Sequence, residues 1–114
     1  MRVLVCGDRN WTNSRLIREY LEELNPDSLI EGEARGADRL SAIEASSMGI
    51  EVIRVPADWG EYGKAAGAIR NREMIKYEPE LVIAFHNSIE ESKGTADMLY
   101  VAECSGILYI LVEE

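Results

Sequence analysis

Short apolar runs alternate along the chain with segments in which apolar residues recur every three or four positions. The short runs favour buried β-strands, and the spaced positions favour amphipathic helices. Leu16, Ile17, Tyr20, Leu21 and Leu24 show the helical spacing most clearly. The predicted elements are, in chain order, strand Arg2–Cys6, helix Ser14–Leu24, strand Ser28–Glu31, helix Ala37–Met48, strand Glu51–Val55, helix Ile69–Lys76, strand Glu80–Phe85, helix Thr95–Cys104 and strand Ile107–Val112.

Five strands that alternate with four helices predict an α/β fold, a Rossmann-like three-layer domain in which mainly parallel strands are flanked by helices. The strand before His86 is nearly all apolar, which is typical of a strand covered on both faces. Asn13 or Thr12 is expected to cap the first helix, and Gly49 to follow the end of the second. A long loop is expected from Ala57 to about Gly67. Periodicity leaves the order of the strands open.

The composition indicates one ordinary globular domain spanning residues 1–114, with 46% hydrophobic and 29% charged residues. No apolar run is long enough to cross a membrane, and the first one stops at Gly7, which predicts a cytoplasmic protein without a signal peptide. Cys6 and Cys104 lie in apolar segments without metal-type spacing and are expected to be buried free thiols. His86 is the only histidine, so neither a metal site nor a hydrolytic triad is predicted. No cofactor is predicted either.

The charge balance is strongly acidic, because 12 Lys and Arg stand against 21 Asp and Glu, giving a net charge of −9. This argues against a long nucleic-acid surface but not against a pocket for one small anion. In a parallel sheet the ligand crevice lies beyond the carboxyl ends of the strands. Seven of the 12 basic residues fall in the loops expected there or in the helices that those loops open, namely Arg9, Arg35, Arg39, Lys64, Arg70, Arg72 and Lys93.

Two glycine-containing turns are the clearest candidates for holding phosphate. Gly32-Glu33-Ala34-Arg35-Gly36-Ala37-Asp38 lies between a strand and a helix, where a tight turn offers unpaired N–H groups to phosphate or ribose. The alternative is a tight connection in which Asp38 caps the helix. Ser92-Lys93-Gly94-Thr95 opens another helix, with Thr95 either near phosphate or a plain N-cap. We expect the two turns to lie side by side.

Other side chains complete the predicted site. Arg70 and Arg72 do not share a helix face, and Arg70 is the one expected to enter the site. Arg35 and Arg70 are both expected to face solvent. The rings of Trp11, Trp59 and Tyr62 are candidates to stack on a base, or alternatively to anchor their loops to the domain.

The same loops carry a family resemblance that extends over nearly the whole chain. Gly7-Asp8-Arg9, Gly32-x-Ala-Arg-Gly36-Ala-Asp38, Val55-Pro56-Ala57-Asp58-Trp59, Ile69-Arg70-Asn71-Arg72-x-Met74 and Gly94-Thr95-Ala96-Asp97-Met98 together resemble the YspA/YpsA-related branch of the SLOG superfamily. That superfamily joins the Smf/DprA proteins to the "lonely guy" phosphoribohydrolases. The resemblance implies a nucleotide or NAD-derived ligand at the glycine-rich turns, and a homo-oligomer, since related SLOG domains often pair through helices.

The ligand is accordingly expected to contact one set of residues, gathered from the motifs and the loops. The predicted ligand-binding residues are Gly7, Asp8, Arg9, Trp11, Gly32, Arg35, Gly36, Asp38, Trp59, Arg70, Asn71, Lys93, Gly94 and Thr95. One position departs from the phosphoribohydrolases, which carry a catalytic Glu in the sequence Gly-Gly-x-Gly-Thr-x-x-Glu. Met98 stands in its place, and a thioether cannot transfer a proton.

Three functional hypotheses follow. The first is binding of an ADP-ribose- or NAD-type ligand, including cyclic ADP-ribose signals, which the protein senses or sequesters, for instance as a viral protein that blunts a host alarm molecule. The second is cleavage of the glycosidic bond of a nucleoside monophosphate, with Arg70, Asp97 and either Asp8 or Glu33 as candidate groups. The third is single-strand DNA binding as in Smf/DprA proteins, which the net charge makes the least favoured.

Overall fold

A computed structural model describes all residues, 1–114. One parallel sheet contains the strands β1 (Arg2–Gly7), β2 (Ser28–Glu31), β3 (Glu51–Arg54), β4 (Leu81–Phe85) and β5 (Leu108–Val112). The helices are α1 (Ser14–Leu24), α2 (Ala37–Ser47), the single turn α3 (Trp59–Tyr62), α4 (Ala66–Ile75) and α5 (Gly94–Cys104). The predicted Rossmann-like α/β fold is confirmed, with four helices of ten or eleven residues around five strands.

The strands are arranged in the order β3-β2-β1-β4-β5, which periodicity alone could not give. The chain runs outward from β1 to β3 and then crosses back to place β4 on the other side of β1. The connections therefore diverge between β1 and β4. A crevice opens at such a switch point, beyond the carboxyl ends of the strands.

The central strands are buried on both faces because helices cover each side of the sheet. In β1, Val3 and Val5 pack in the core that includes Ile17 and Leu21 of α1. Leu4 lies in the opposite core, which includes side chains of α4 and α5. Each such fully buried side chain contributes about 1.5–3 kcal/mol of hydrophobic free energy. No helix is both long and apolar enough to traverse a bilayer.

The segment expected to be a long loop is mostly helical. Asp58 accepts a hydrogen bond from the Glu61 backbone N–H at 3.1 Å and so caps α3. A 3₁₀ turn over Gly63–Ala65 leads directly into α4, which begins at Ala66 rather than at the predicted Ile69. The first turn of α4 consists of small residues, so it has no apolar stripe for periodicity to detect.

Two other local predictions have different outcomes. Asn13 does cap α1, since its side chain accepts from the Leu16 N–H at 3.0 Å. Cys6 is a buried free thiol as predicted, but the prediction is wrong for Cys104, which is exposed. Cys104 lies in the last turn of α5 on the side away from the sheet, where an apolar neighbourhood in sequence does not imply burial.

The two ends of the sheet differ in charge. At the amino ends of the strands, Asp27, Glu51, Glu78 and Glu80 surround a shallow depression that also contains Arg2. The crevice at the opposite end, between β1 and β4, is lined by five cations and three carboxylates. The net charge of −9 is therefore spread unevenly over the molecule.

Candidate functional site

A cavity of about 560 Å³ lies beyond the carboxyl ends of the strands, at the switch point. Its wall comes from the loop after β1, the turn before α2, the segment 59–74, and the start of α5. Eleven of the fourteen predicted ligand-binding residues line it, namely Gly7, Asp8, Arg9, Arg35, Asp38, Trp59, Arg70, Asn71, Lys93, Gly94 and Thr95. Trp11, Gly32 and Gly36 do not.

The cavity wall carries five cations and three carboxylates, and the cations form no salt bridges with them. None of the five cations on its wall forms a salt bridge, these cations being Arg9, Arg35, Lys64, Arg70 and Lys93. The cations that do pair with carboxylates all lie outside the cavity wall, namely Arg15, Arg18, Arg54, Arg72 and Lys76. With 21 acidic residues available, the cluster of unpaired cations is a specific feature of this site.

Gly36 makes the close packing of two loops possible. Its φ is +78°, and a Cβ there would collide with the backbone of Asp8 and Arg9. The adjacent Ala37 N–H donates to the Asp8 carbonyl at 3.1 Å. Gly36 therefore supports the cavity by holding the turn before α2 against the loop after β1.

Gly32 has a comparable supporting position next to Arg70. The Arg70 guanidinium donates through Nη1 to the Gly32 carbonyl at 2.7 Å and through Nε to Asn71 Oδ1 at 3.2 Å. A Cβ on Gly32 would collide with that guanidinium. The expectation that Arg70 faces solvent is thus wrong, because the side chain is half-buried and held in place. Arg35 is exposed as expected and makes no side-chain hydrogen bond.

Two buried carboxyl groups hold the turn between β2 and α2. Asp38 Oδ2 accepts from the N–H groups of Gly32 at 3.2 Å and Ala34 at 3.3 Å. Glu31 Oε1 accepts from the Glu33 N–H at 2.9 Å, while its Oε2 is buried without a partner. Burial raises the pKa of Asp38 to about 6, although the Arg70 charge opposes the shift. Burial likewise raises the pKa of Glu31 to about 7.

These raised pKa values predict that the protein becomes less stable as pH rises. A carboxyl whose pKa is higher in the folded state stabilises the fold fully below its unfolded pKa, and this contribution is lost as pH rises through the folded pKa. Between pH 5 and pH 8 the free energy of unfolding is expected to fall by about 2–3 kcal/mol through Glu31 alone. Urea unfolding at several pH values measures this change in the free energy of unfolding. Glu31→Gln, which keeps the acceptor for Glu33, should remove most of this fall; an unchanged pH dependence in that variant would contradict the assignment.

The start of α5 offers backbone donors to the cavity. The Thr95 N–H donates to Ser92 Oγ at 3.0 Å, so Ser92 and not Thr95 supplies the capping oxygen. The N–H groups of Gly94, which lines the cavity, and of Ala96, which does not, have no acceptor within the protein. The two turns, which were expected to lie side by side, follow β2 and β4, and β1 lies between these strands. Both segments nevertheless contribute to one cavity.

Trp59 is the aromatic side chain on the cavity wall. Its ring is half exposed, and Arg9 Cζ lies 5.9 Å from the ring centroid in a cation–π arrangement. The expectation that Trp11 presents a ring for stacking is wrong, since Trp11 is 3% exposed, packs against Phe85, and donates from Nε1 to the Asn13 carbonyl. Tyr62 is exposed but does not line the cavity.

Among the candidate acid–base groups, Asp8 lines the cavity and accepts the Asn10 backbone N–H at 2.9 Å. Asp97 lines the cavity, but its Oδ2 accepts from Asn71 at 3.0 Å and from Arg72 at 3.1 Å. Glu33 lies off the cavity wall, 3.5 Å from Arg54. Met98 is fully buried in the core rather than on the wall. The cavity therefore presents no carboxylate at position 98, where the phosphoribohydrolases carry their catalytic Glu.

Several wall residues were not predicted from the sequence. His86 is buried with Nδ1 accepting the Ser88 N–H at 3.0 Å, so its Nε2 carries the ring proton in the neutral form. Gly67 and Ala68 bring α4 close to the cavity, and Gly67 lies under the Trp59 ring. The run of small residues from Ala65 to Ala68 was the available signal for this close approach.

Comparisons with known proteins identify a family, a sequence relative and a similar solved structure. A model of the family described as "YAcAr: YspA, cpYpsA-related SLOG family" matches residues 1–62. The chain is similar to the gene 61 protein of Mycobacterium phage D29, with 33% identity over 116 residues that cover 93% of this chain and 91% of the relative. In structure it is similar to DNA processing protein A (DprA) from Streptococcus pneumoniae, with a TM-score of 0.77 and 17% identity. That match covers 96% of this chain and 49% of the DprA chain, so this chain spans about half of it.

Proposed function

Because this chain belongs to the YspA- and cpYpsA-related SLOG family, we propose that it binds a small nucleotide-derived anion of the ADP-ribose or NAD type. The observation that carries the proposal is the group of five cations that share one cavity and have no carboxylate partner. An anion there removes their mutual repulsion and forms charge-assisted hydrogen bonds. The cavity volume of about 560 Å³ lies in the range typical of small-molecule sites.

The wall residues suit the separate parts of such a ligand. Arg35, Arg70 and Lys93 supply charge for phosphate oxygens, together with the free N–H groups at the start of α5. The exposed Trp59 ring offers a face for a purine base. Asp8 and Asp38 offer carboxylate oxygens for ribose hydroxyls.

We further propose that the protein retains this ligand without converting it. Asp97 is hydrogen-bonded to Asn71 and Arg72, and Met98, which stands in place of the phosphoribohydrolase Glu, is buried in the core, so neither position supplies the acid–base group of that reaction. A binding protein that does not turn its ligand over lowers the free concentration of that ligand. Similarity to a phage protein fits the sequestering of a host nucleotide signal.

Titration calorimetry tests the proposal. ADP-ribose, cyclic ADP-ribose, NAD and AMP are each titrated into the protein, and at least one is expected to bind with a dissociation constant in the micromolar range. Incubation followed by chromatography is expected to return that nucleotide intact. Absence of heat with all four at millimolar concentration would overturn the proposal.

Two further outcomes separate the alternatives. Release of free base and ribose 5-phosphate would show a phosphoribohydrolase. Retention of a single-stranded oligonucleotide in a gel shift, with affinity that falls steeply as salt rises, would show the DNA-binding alternative.

A further inference from the structure

A second space adjoins the cavity and shares part of its wall. It is a shallow groove of about 450 Å³, and Arg9, Asn10 and Arg35 line both it and the cavity. Arg9 and Arg35 therefore lie at the boundary between the two spaces. The rest of the groove is formed by Trp11, Thr12, Gly36 and Leu40.

The groove and the cavity differ in chemistry. The cavity wall includes Asp8, Asp38 and Asp97, whereas no carboxylate lines the groove. Apart from the two arginines at its border, the groove is neutral, with an aliphatic side chain at Leu40 and backbone at Gly36. It therefore suits an uncharged ring or sugar, held beside a group whose negative charge lies at the border.

The two border arginines are free to bind that negative charge. Neither Arg9 nor Arg35 forms a salt bridge, and Arg9 is oriented by its cation–π contact with Trp59 at 5.9 Å. A guanidinium binds phosphate oxygens bidentately, so two of them match two consecutive phosphates. A diphosphate at the border would have one substituent in the cavity and the other in the groove.

We propose that the groove is a second subsite, which takes the distal sugar or nucleoside of a disubstituted diphosphate whose first nucleoside occupies the cavity. This inference rests on the proposed nucleotide-binding function and adds the place where the second arm of such a diphosphate binds, in a groove outside the cavity. Arg9 and Arg35 hold the diphosphate, and Thr12 and Leu40 contact the second arm.

The test compares NAD with AMP on one substitution in the groove. Thr12 is exposed, and its side chain makes no hydrogen bond, so Thr12→Trp fills the groove without loss of a structural contact. Ile43→Trp is the matched control, since Ile43 is 64% exposed on α2 and lines neither space. Wild type is expected to bind NAD at least about tenfold more tightly than AMP, which corresponds to about 1.4 kcal/mol.

Thr12→Trp should lower NAD affinity about tenfold and leave AMP affinity within about twofold, while Ile43→Trp changes neither. The methyl resonances of Leu40 should shift with NAD and not with AMP. If AMP binds but NAD binds no more tightly, or if Thr12→Trp affects both equally or neither, the second subsite is wrong while the proposed function stands. If neither NAD nor AMP binds, the second subsite is wrong, whereas the proposed function fails only if ADP-ribose and cyclic ADP-ribose also give no heat. If Thr12→Trp weakens the binding of a single-stranded oligonucleotide and leaves NAD affinity unchanged, the groove is part of a nucleic-acid binding surface and the inference fails.

Discussion

Replacing Gly36 with alanine is expected to lower the free energy of unfolding by about 3–5 kcal/mol. Two costs add. The φ of +78° is strained for any residue with a Cβ, and that Cβ would enter the space occupied by the backbone of Asp8 and Arg9. Because the colliding atoms are backbone, no side chain can rotate away, so the loop after β1 must move. Urea unfolding measures the loss of stability, and titration with the identified ligand should show weaker binding in the folded fraction.

Gly49→Ala is the matched control for this substitution. Gly49 has nearly the same φ, +76°, but a Cβ there has open space around it. It should therefore show only the conformational cost, about 1–2 kcal/mol, and unchanged ligand affinity. Equal destabilisation by the two variants would mean that the close packing of Gly36 against the loop after β1 does not contribute to stability.

Replacing Arg35 with alanine is expected to weaken ligand binding about 10- to 150-fold, which corresponds to the loss of about 1.5–3 kcal/mol for a charge-assisted hydrogen bond. Arg35 is exposed and makes no bond within the protein, so its removal should leave the melting temperature of the ligand-free protein unchanged. Arg15→Ala, which removes a largely exposed arginine of α1, is the control and should change ligand affinity little. Calorimetry and thermal unfolding of both variants measure the two quantities. Equal affinity in both would place the ligand elsewhere.

Arg70→Ala tests whether the Arg70 side chain stabilises the ligand-free fold as well as binding the ligand. The variant should weaken binding to a similar extent but also lower the melting temperature, because the hydrogen bond to the Gly32 carbonyl is lost. A variant that loses affinity with an unchanged melting temperature would show that this hydrogen bond does not stabilise the ligand-free fold.

The periodic and all-apolar segments made most of the fold predictable. Burial on both faces of β4 and the amphipathic stripe of α1 follow directly from residue spacing. The strand order did not, because it depends on packing between elements distant in sequence. The first turn of α4 was missed because Ala66, Gly67 and Ala68 have no apolar stripe.

The candidate site was predictable where glycine and arginine fall in loops after strands. Arg35, Arg70 and Lys93 were placed on one wall by the rule that parallel strands end at the same edge. The direction in which each side chain points was harder to predict from the sequence. Trp11 is buried in the core, and Gly32 contacts Arg70 instead of the cavity. Neither outcome could be inferred from the sequence, because the burial of a loop residue depends on neighbours that are distant along the chain.

The separation of charge between the two ends of the sheet bears on how a ligand arrives. At physiological ionic strength, screening limits the reach of exposed charges to about 8 Å, so an approaching anion senses the nearest end rather than the net charge. Near Glu51 and Glu80 it is repelled, and near Arg35 and Lys93 it is attracted. Anions therefore associate preferentially at the end of the sheet that contains the cavity, and an acidic protein can capture an anion rapidly through that face. At very low salt the repulsion from the whole molecule extends further, and this directional preference weakens.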